Sequence, residues 1–131
     1  NHHNFAWKEF HNGKEVVVHR KGATPAGEGV LGIIPASMTD VGYIVRGKGN
    51  AESFSSASHG AGRAFSRNES RNRFTSSDIK KALKAKDITL IGGNAEEAPM
   101  AYKNIETVMQ SQRDLVEVIG RFQPRIVRMD K

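Results

Sequence analysis

Asn12-Gly13 stands between two β-type runs, Trp7 to His11 and Lys14 to Arg20. Both turn residues accept positive φ, which a two-residue hairpin needs if its turn is to match the twist of the flanking strands. Val16, Val17 and Val18 are β-branched and predict a buried second strand. The start of the chain is therefore committed to β-structure, and the remainder must build on it. Residues 22 to 29 are rich in glycine and proline and read as a loop. Leu31 to Ile34 is a short strand stopped by Pro35, and Tyr43 to Arg46 another, followed by a loop at Gly47 to Asn50.

The second half alternates periods. Ser76 or Ser77 caps a predicted helix from Asp78 to Ala85, with Ile79, Ala82 and Leu83 as its apolar stripe. Ile88 to Ile91 reads as a buried strand closed by Gly92-Gly93. Pro99 opens a predicted second helix to Arg113, with Ile105, Val108 and Met109 inward. Leu115 to Met129 favours strand by its Val and Ile content, with an edge or bulge at Pro124. The fold class read from this order is α+β, mixed sheets with flanking helices, in one domain over residues 1–131.

Composition limits what this domain can be. A hydrophobic share of 37% with 13 glycines predicts many turns and a modest core. The net charge of +6, concentrated at Arg63 to Arg73 and Lys80 to Lys86, favours an anionic partner, nucleic acid before free nucleotide. Lys80 to Lys86 is read as a solvated helix face. With no cysteine, disulfides and thiolate metal sites are excluded within this segment. No apolar run nears a membrane span and no signal peptide is visible, which reads as a cytoplasmic protein. A start at Asn1-His2-His3-Asn4 without methionine reads as a fragment of a longer protein.

The chemistry concentrates in residues 53–67, where His59 lies among serines and alanines, followed by Gly60, Ala61, Gly62, Arg63 and Arg67. Small side chains let a ligand reach the backbone, and glycines free N–H groups to turn toward an anion. Arginine grips phosphate oxygens with paired hydrogen bonds, and imidazole can attack phosphorus or move a proton there. Phosphoryl or nucleotidyl chemistry follows. The stretch is neither a P-loop nor a completed dinucleotide fingerprint.

Other candidates have plainer readings beside the functional one. His2 and His3 read as an exposed pair or a tag remnant, and as metal ligands second. His11 abuts the hairpin turn and is expected to be exposed. His19-Arg20-Lys21 is either a phosphate-facing strand end or a solvated turn. Ser37 is a phosphate or base donor, or a local hydrogen-bonder. Glu96 and Glu97 precede a predicted helix and suit its dipole better than paired acid catalysis. Tyr102 is read as a half-buried helical tyrosine before a base-stacking one.

Taken in order, His3-Asn4, His19-Arg20-Lys21-Gly22-Ala23-Thr24, Ile34-Pro35-Ala36-Ser37-Met38, Ser58-His59-Gly60-Ala61-Gly62-Arg63 through Ser66-Arg67, and Glu96-Glu97-Ala98-Pro99-Met100-Ala101-Tyr102-Lys103 resemble the RtcB family of RNA-splicing ligases. The segment looks like the C-terminal third of such a catalytic domain. The resemblance implies a ligase dependent on GTP and manganese (Mn2+). It would join RNA ending in 3′-phosphate or 2′,3′-cyclic phosphate to RNA with a 5′-hydroxyl, in tRNA splicing or RNA repair. By matching position His59 is the nucleophile that carries GMP, and His3 is a metal ligand, which reverses the tag reading. Asn4, Pro35, Ala36, Ser37, Met38, Gly60, Ala61, Gly62 and Tyr102 match the nucleotide site, and Arg63 and Arg67 are candidates for phosphate contacts.

Departures accompany the match. Ala36 stands where the family's turn has glycine, and Gly42 where it has a serine that contacts nucleotide. Arg128, Met129 or Lys131 replaces a terminal lysine. The family's other metal ligands, an aspartate, a cysteine and two histidines, lie upstream of this segment, which is therefore expected to be inactive alone. Two further readings stand behind the ligase: a 3′-phosphate guanylyltransferase that caps DNA or RNA ends, and a basic RNA-binding module without catalysis.

Overall fold

The computed structural model describes residues 4–129. Strands β1 (Asn4–His11) and β2 (Lys14–Lys21) pair antiparallel from His11↔Lys14 to Asn4↔Lys21. Asn12 and Gly13 turn between them at φ 52° and 74°, as the hairpin signal predicts. One face of this ribbon, with Trp7, Glu9, His11, Val16, Val18 and Arg20, is at least half covered. The opposite face carries Ala6, Phe10, Val17 and His19 in solvent. The expected buried valine strand is corrected accordingly: two strands make one covered face, and Val17 points away from it at 66% exposure.

The predicted loop after residue 21 contains a third strand, β3 (Ala23–Pro25). It pairs antiparallel with β6 (Ser56–Ser58), so Ala23 faces Ser58. Between them in sequence, β4 (Leu31–Ile34) and β5 (Gly42–Gly47) join β8 (Val116–Phe122) in an antiparallel sheet of order β4-β5-β8, with an irregularity at Ile44/Val45. Its inner face buries Ile34, Tyr43, Val45 and Val116 against Ile105 and Met109. Its outer face leaves Leu31, Ile33 and Ile44 exposed.

Helix α1 (Arg67–Arg73) begins at Ser66, whose hydroxyl accepts from Glu69 N while the Glu69 carboxylate accepts from Ser66 N. The same reciprocal pair, Thr75 with Asp78, starts α2 (Ser76–Ala85). Thr75 therefore replaces Ser76 or Ser77 as the cap, because only Thr75 has an acid three residues on. Ile79 and Leu83 of α2 build a second core with Met38, Ile88 and Ala98. Beyond it β7 (Thr89–Ile91) pairs parallel with β9 (Ile126–Arg128), and Pro124 separates β8 from β9.

The helix expected from Pro99 to Arg113 is not continuous. Ala95–Glu97 and Pro99–Ala101 are single 3₁₀ turns, and Tyr102 is extended at φ −104°, ψ 154°. Helix α3 (Ile105–Ser111) starts afresh at Asn104, whose side chain accepts from Thr107 N. Two influences win over helix propensity here: asparagine caps by its own side chain, and the extended Tyr102 backbone pairs across to Arg63. The architecture is α+β with flanking helices; among the described residues the small sheets are each purely antiparallel, apart from the parallel β7–β9 pair, and none combines the two as the expected mixed sheets would.

Candidate active site

His59 directly follows β6, and β6 is held by β3, so its placement starts from the β2–β3 corner. The corner residue is Gly22, at φ 76°, and His59 N donates to its carbonyl at 3.4 Å. A Cβ on Gly22 would sit 3.8 Å from His59 Cδ2 and 3.9 Å from Nε2. The imidazole thus packs over the bare backbone of Gly22, which must be glycine for its φ. From the other side the end of β4 approaches: Ala61 N donates to the Pro35 carbonyl at 3.2 Å, and a Cβ on Gly60 would lie 3.1 Å from that oxygen. Ser58 steadies the turn, its hydroxyl donating to Gly60 O at 2.6 Å and its N–H to buried Gln112 Oε1 at 2.9 Å. His59 also lines a cleft of about 440 Å³ with Thr24, Pro25, Leu31, Ile33 and Pro35.

The loop then runs against the 3₁₀ segment. Lys103 N donates to Gly62 O at 3.0 Å and Ala64 N to Ala101 O at 2.8 Å, around the Arg63↔Tyr102 bridge. The Arg63 guanidinium turns inward. Nε donates to Phe65 O at 3.2 Å, Nη1 to Tyr102 Oη at 3.3 Å, and Nη2 to Ser70 Oγ at 3.1 Å and to Glu96 O. Glu97 completes the cluster, 3.6 Å from Arg63 Nη1 and accepting the Tyr102 hydroxyl proton in a hydrogen bond. Burial first, and the Glu97 carboxylate second, push the Tyr102 phenol up to about 12. Tyr102 is therefore neutral at any ordinary pH. It is half-buried but lies before α3, not within a helix.

Arg67 differs from Arg63. It lies on α1 with its side chain 68% exposed, and it shares the Glu96 carboxylate with Arg71. Glu96 and Glu97, expected to serve a helix dipole, are ion-pair partners of three arginines instead.

The remaining candidates divide into those at the corner and those turned elsewhere. Asn4 pairs with Lys21, one residue before Gly22, and its Oδ1 accepts from His19 Nε2 at 2.6 Å. Arg20 takes no part in a phosphate-facing strand end. It is 2% exposed and grips Glu9 with two bonds of 2.5 and 2.9 Å, and also bonds Ser56 Oγ and Phe54 O. That grip is the main reason the Glu9 carboxyl falls to about 2, helped by His11. His11 is correspondingly not the exposed residue expected of it: its side chain is 9% exposed, 2.7 Å from Glu9 and edge-on to Phe54.

Past Pro35 and the half-buried Ala36, Ser37 is buried and its hydroxyl donates to Asp40 Oδ2 at 2.5 Å, while Met38 anchors the turn in the second core. Ala36 is absent from the residues with positive φ, so its turn does not require the family's glycine. At Gly42 an added Cβ would lie 2.2 Å from Phe122 Cζ; Phe122 occupies the space a serine there would need. Of the C-terminal candidates, Met129 packs on the second core and Arg128 lies in β9. His3 and Lys131 lie outside the described residues. Among the described residues, no three of His, Cys, Asp and Glu gather to hold a metal ion.

The Gly22 corner and the Pro35 strand end thus meet the His59–Ala61 turn from two sides, and the Tyr102 segment meets the same loop farther along, at Gly62 to Phe65. The sequence matches the family described as tRNA-splicing ligase RtcB over residues 1–130. The chain belongs to the RtcB family. It is 49% identical to the RNA-splicing ligase RtcB of Escherichia coli over 118 residues, covering 90% of this chain and 29% of that protein. It is 40% identical to the tRNA-splicing ligase RtcB of Methanococcus maripaludis, over 81% of this chain and 27% of that one. With the tRNA-splicing ligase RtcB of Pyrococcus horikoshii the identity is 35%, covering 93% and 17%. The chain spans under a third of the length of these RtcB relatives. Two features of this RtcB segment escape sequence reading: the packing of His59 on Gly22, and the Glu97 link between Arg63 and Tyr102. Glycine after three polar residues signals the first, and an acid five residues before a tyrosine gives no signal for the second.

Proposed function

We propose that this chain is the nucleotide-carrying part of an RNA ligase that joins 3′-phosphate or 2′,3′-cyclic phosphate ends to 5′-hydroxyl ends at the expense of GTP. The observation that carries the reading is the seat of His59, an imidazole on bare glycine backbone between two strand ends, in a chain of the RtcB family. A ring nitrogen of His59 attacks the α-phosphorus of GTP. The P–N bond forms, the bond to pyrophosphate breaks, and the ring loses its proton to solvent. A 2′,3′-cyclic phosphate is first opened by water, which breaks the bond from phosphorus to O2′ and leaves a 3′-phosphate. An RNA 3′-phosphate oxygen then takes the guanylate from His59 and frees the imidazole. The 5′-hydroxyl attacks that activated phosphate, and GMP leaves.

The small residues Gly60, Ala61 and Gly62 let the guanylate approach the backbone, and Pro35 and Ala36 wall the other side, backed by the buried Ser37 and Met38. Asn4 donates to phosphate, and Tyr102, held neutral, borders the nucleotide. Arg67 is the exposed cation available to an RNA phosphate, whereas Arg63 acts from behind by fixing Tyr102 and lending positive charge. Manganese would need His3 together with residues that this segment does not contain, and when bound it would neutralise phosphate charge.

Incubating the complete protein with GTP radiolabelled at the α-phosphate and manganese should give an acid-labile adduct that His59→Ala abolishes. An adduct that persists in His59→Ala, or none in the unaltered protein, refutes the reading.

A further inference from the structure

We propose that His19 is a positioning residue that fixes which end of the Asn4 amide faces the nucleotide. Asn4 and His19 lie on neighbouring strands. The register sets Asn4 opposite Lys21 and Ala6 opposite His19, so the two side chains are diagonal neighbours on one face of the ribbon. His19 Nε2 and Asn4 Oδ1 are 2.6 Å apart.

An asparagine amide has an accepting oxygen and a donating NH₂ of nearly the same size. An anion is attracted by one and repelled by the other. Donation from His19 Nε2–H to Oδ1 assigns the oxygen to the histidine, and the amide hydrogens become the end offered to phosphate. Without that bond the amide rotates, and much of its population presents oxygen to the anion. The location makes the choice matter, because Lys21, the strand partner of Asn4, precedes the Gly22 on which His59 packs. The opposite face of the same strand needs no such help, since Arg20 is locked there by Glu9.

The inference rests on the reading of Asn4 as a phosphate contact. Its test is a double-mutant cycle on His59 guanylylation in the complete protein, with kcat and KM for GTP measured for His19→Ala, His19→Gln, Asn4→Ala and the His19→Ala/Asn4→Ala pair. His19→Ala should lower kcat/KM roughly tenfold, the scale of one lost hydrogen bond. Glutamine, which can donate to the same oxygen, should recover all but about threefold. In the Asn4→Ala background, His19→Ala should cost nothing more, because its route of action is gone. A full additional loss in that background, or no effect of His19→Ala alone, overturns the proposal.

Should the unaltered protein form no adduct, the ligase reading falls and the positioning is judged by nitrogen NMR of the His19 ring. A proton on Nε2 whose resonance moves in Asn4→Ala supports the bond. A ring protonated only at Nδ1, or unmoved by Asn4→Ala, refutes it.

Discussion

Replacing Glu9 by glutamine removes one negative charge from the grip on Arg20 while keeping the side chain's shape. Arg20 is 2% exposed, so its charge depends on partners within the fold. The Glu9 carboxyl moves from 4.5 to about 2 on folding, principally through the Arg20 hydrogen bonds. A fall of that size corresponds to about 3 kcal/mol of stability at neutral pH. The Glu9 side chain keeps 24% of its surface in water, and solvent screening reduces the expected figure to about 2 kcal/mol. Because the folded value is the lower one, this stability is present in full above 4.5 and disappears as pH falls toward about 2. Urea unfolding of the unaltered and Glu9→Gln proteins, repeated from neutral pH downward, reads it directly. The gap should be widest at neutral pH and close through that acidic window. A gap that stays constant with pH, or one under about 0.5 kcal/mol at neutral pH, refutes the reasoning.

Gly42→Ser should destabilise by about 1–3 kcal/mol because its Cβ meets the Phe122 ring. Adding Phe122→Ala should relieve that strain, and an unchanged melting temperature for Gly42→Ser alone would show the ring swings aside freely. Thr75→Ala should cost about 1 kcal/mol by removing the hydroxyl that accepts from Asp78 N, while the Thr75 backbone N–H keeps its donor role toward the Asp78 carboxylate; Ser76→Ala should be near neutral. Equal losses in thermal unfolding would place the cap elsewhere.

Elements with local signals were legible. The hairpin follows from Asn12-Gly13 and α2 from the Ile79 and Leu83 stripe; Pro124 signals an interruption, expected as an edge or bulge, where the structure instead ends β8 and sends β9 to a different sheet. Elements whose cause is distant were not. Strand β6 has three residues and exists through its pairing with β3. The stretch from Pro99 to Asn104 has helical composition, yet it makes only one 3₁₀ turn, at Pro99–Ala101, before Tyr102 extends and pairs with Arg63. Helix α1 is an intermediate case, since Ser66 and Glu69 carry a capping signature that the density of arginines obscures.

The same division runs through the site. Residue types alone declared an imidazole among glycines with arginines nearby, because those chemical capacities belong to the side chains wherever they stand. Which arginine meets water and which is locked inside depended on Glu9, Glu96 and Glu97, distant from Arg20 and Arg63 in sequence. Charge is a property of the residue, but the partner that neutralises it is chosen by the packing of strands and turns. Only the tertiary structure could therefore turn Arg63 toward Tyr102, leave Arg67 on the surface and set His59 upon Gly22.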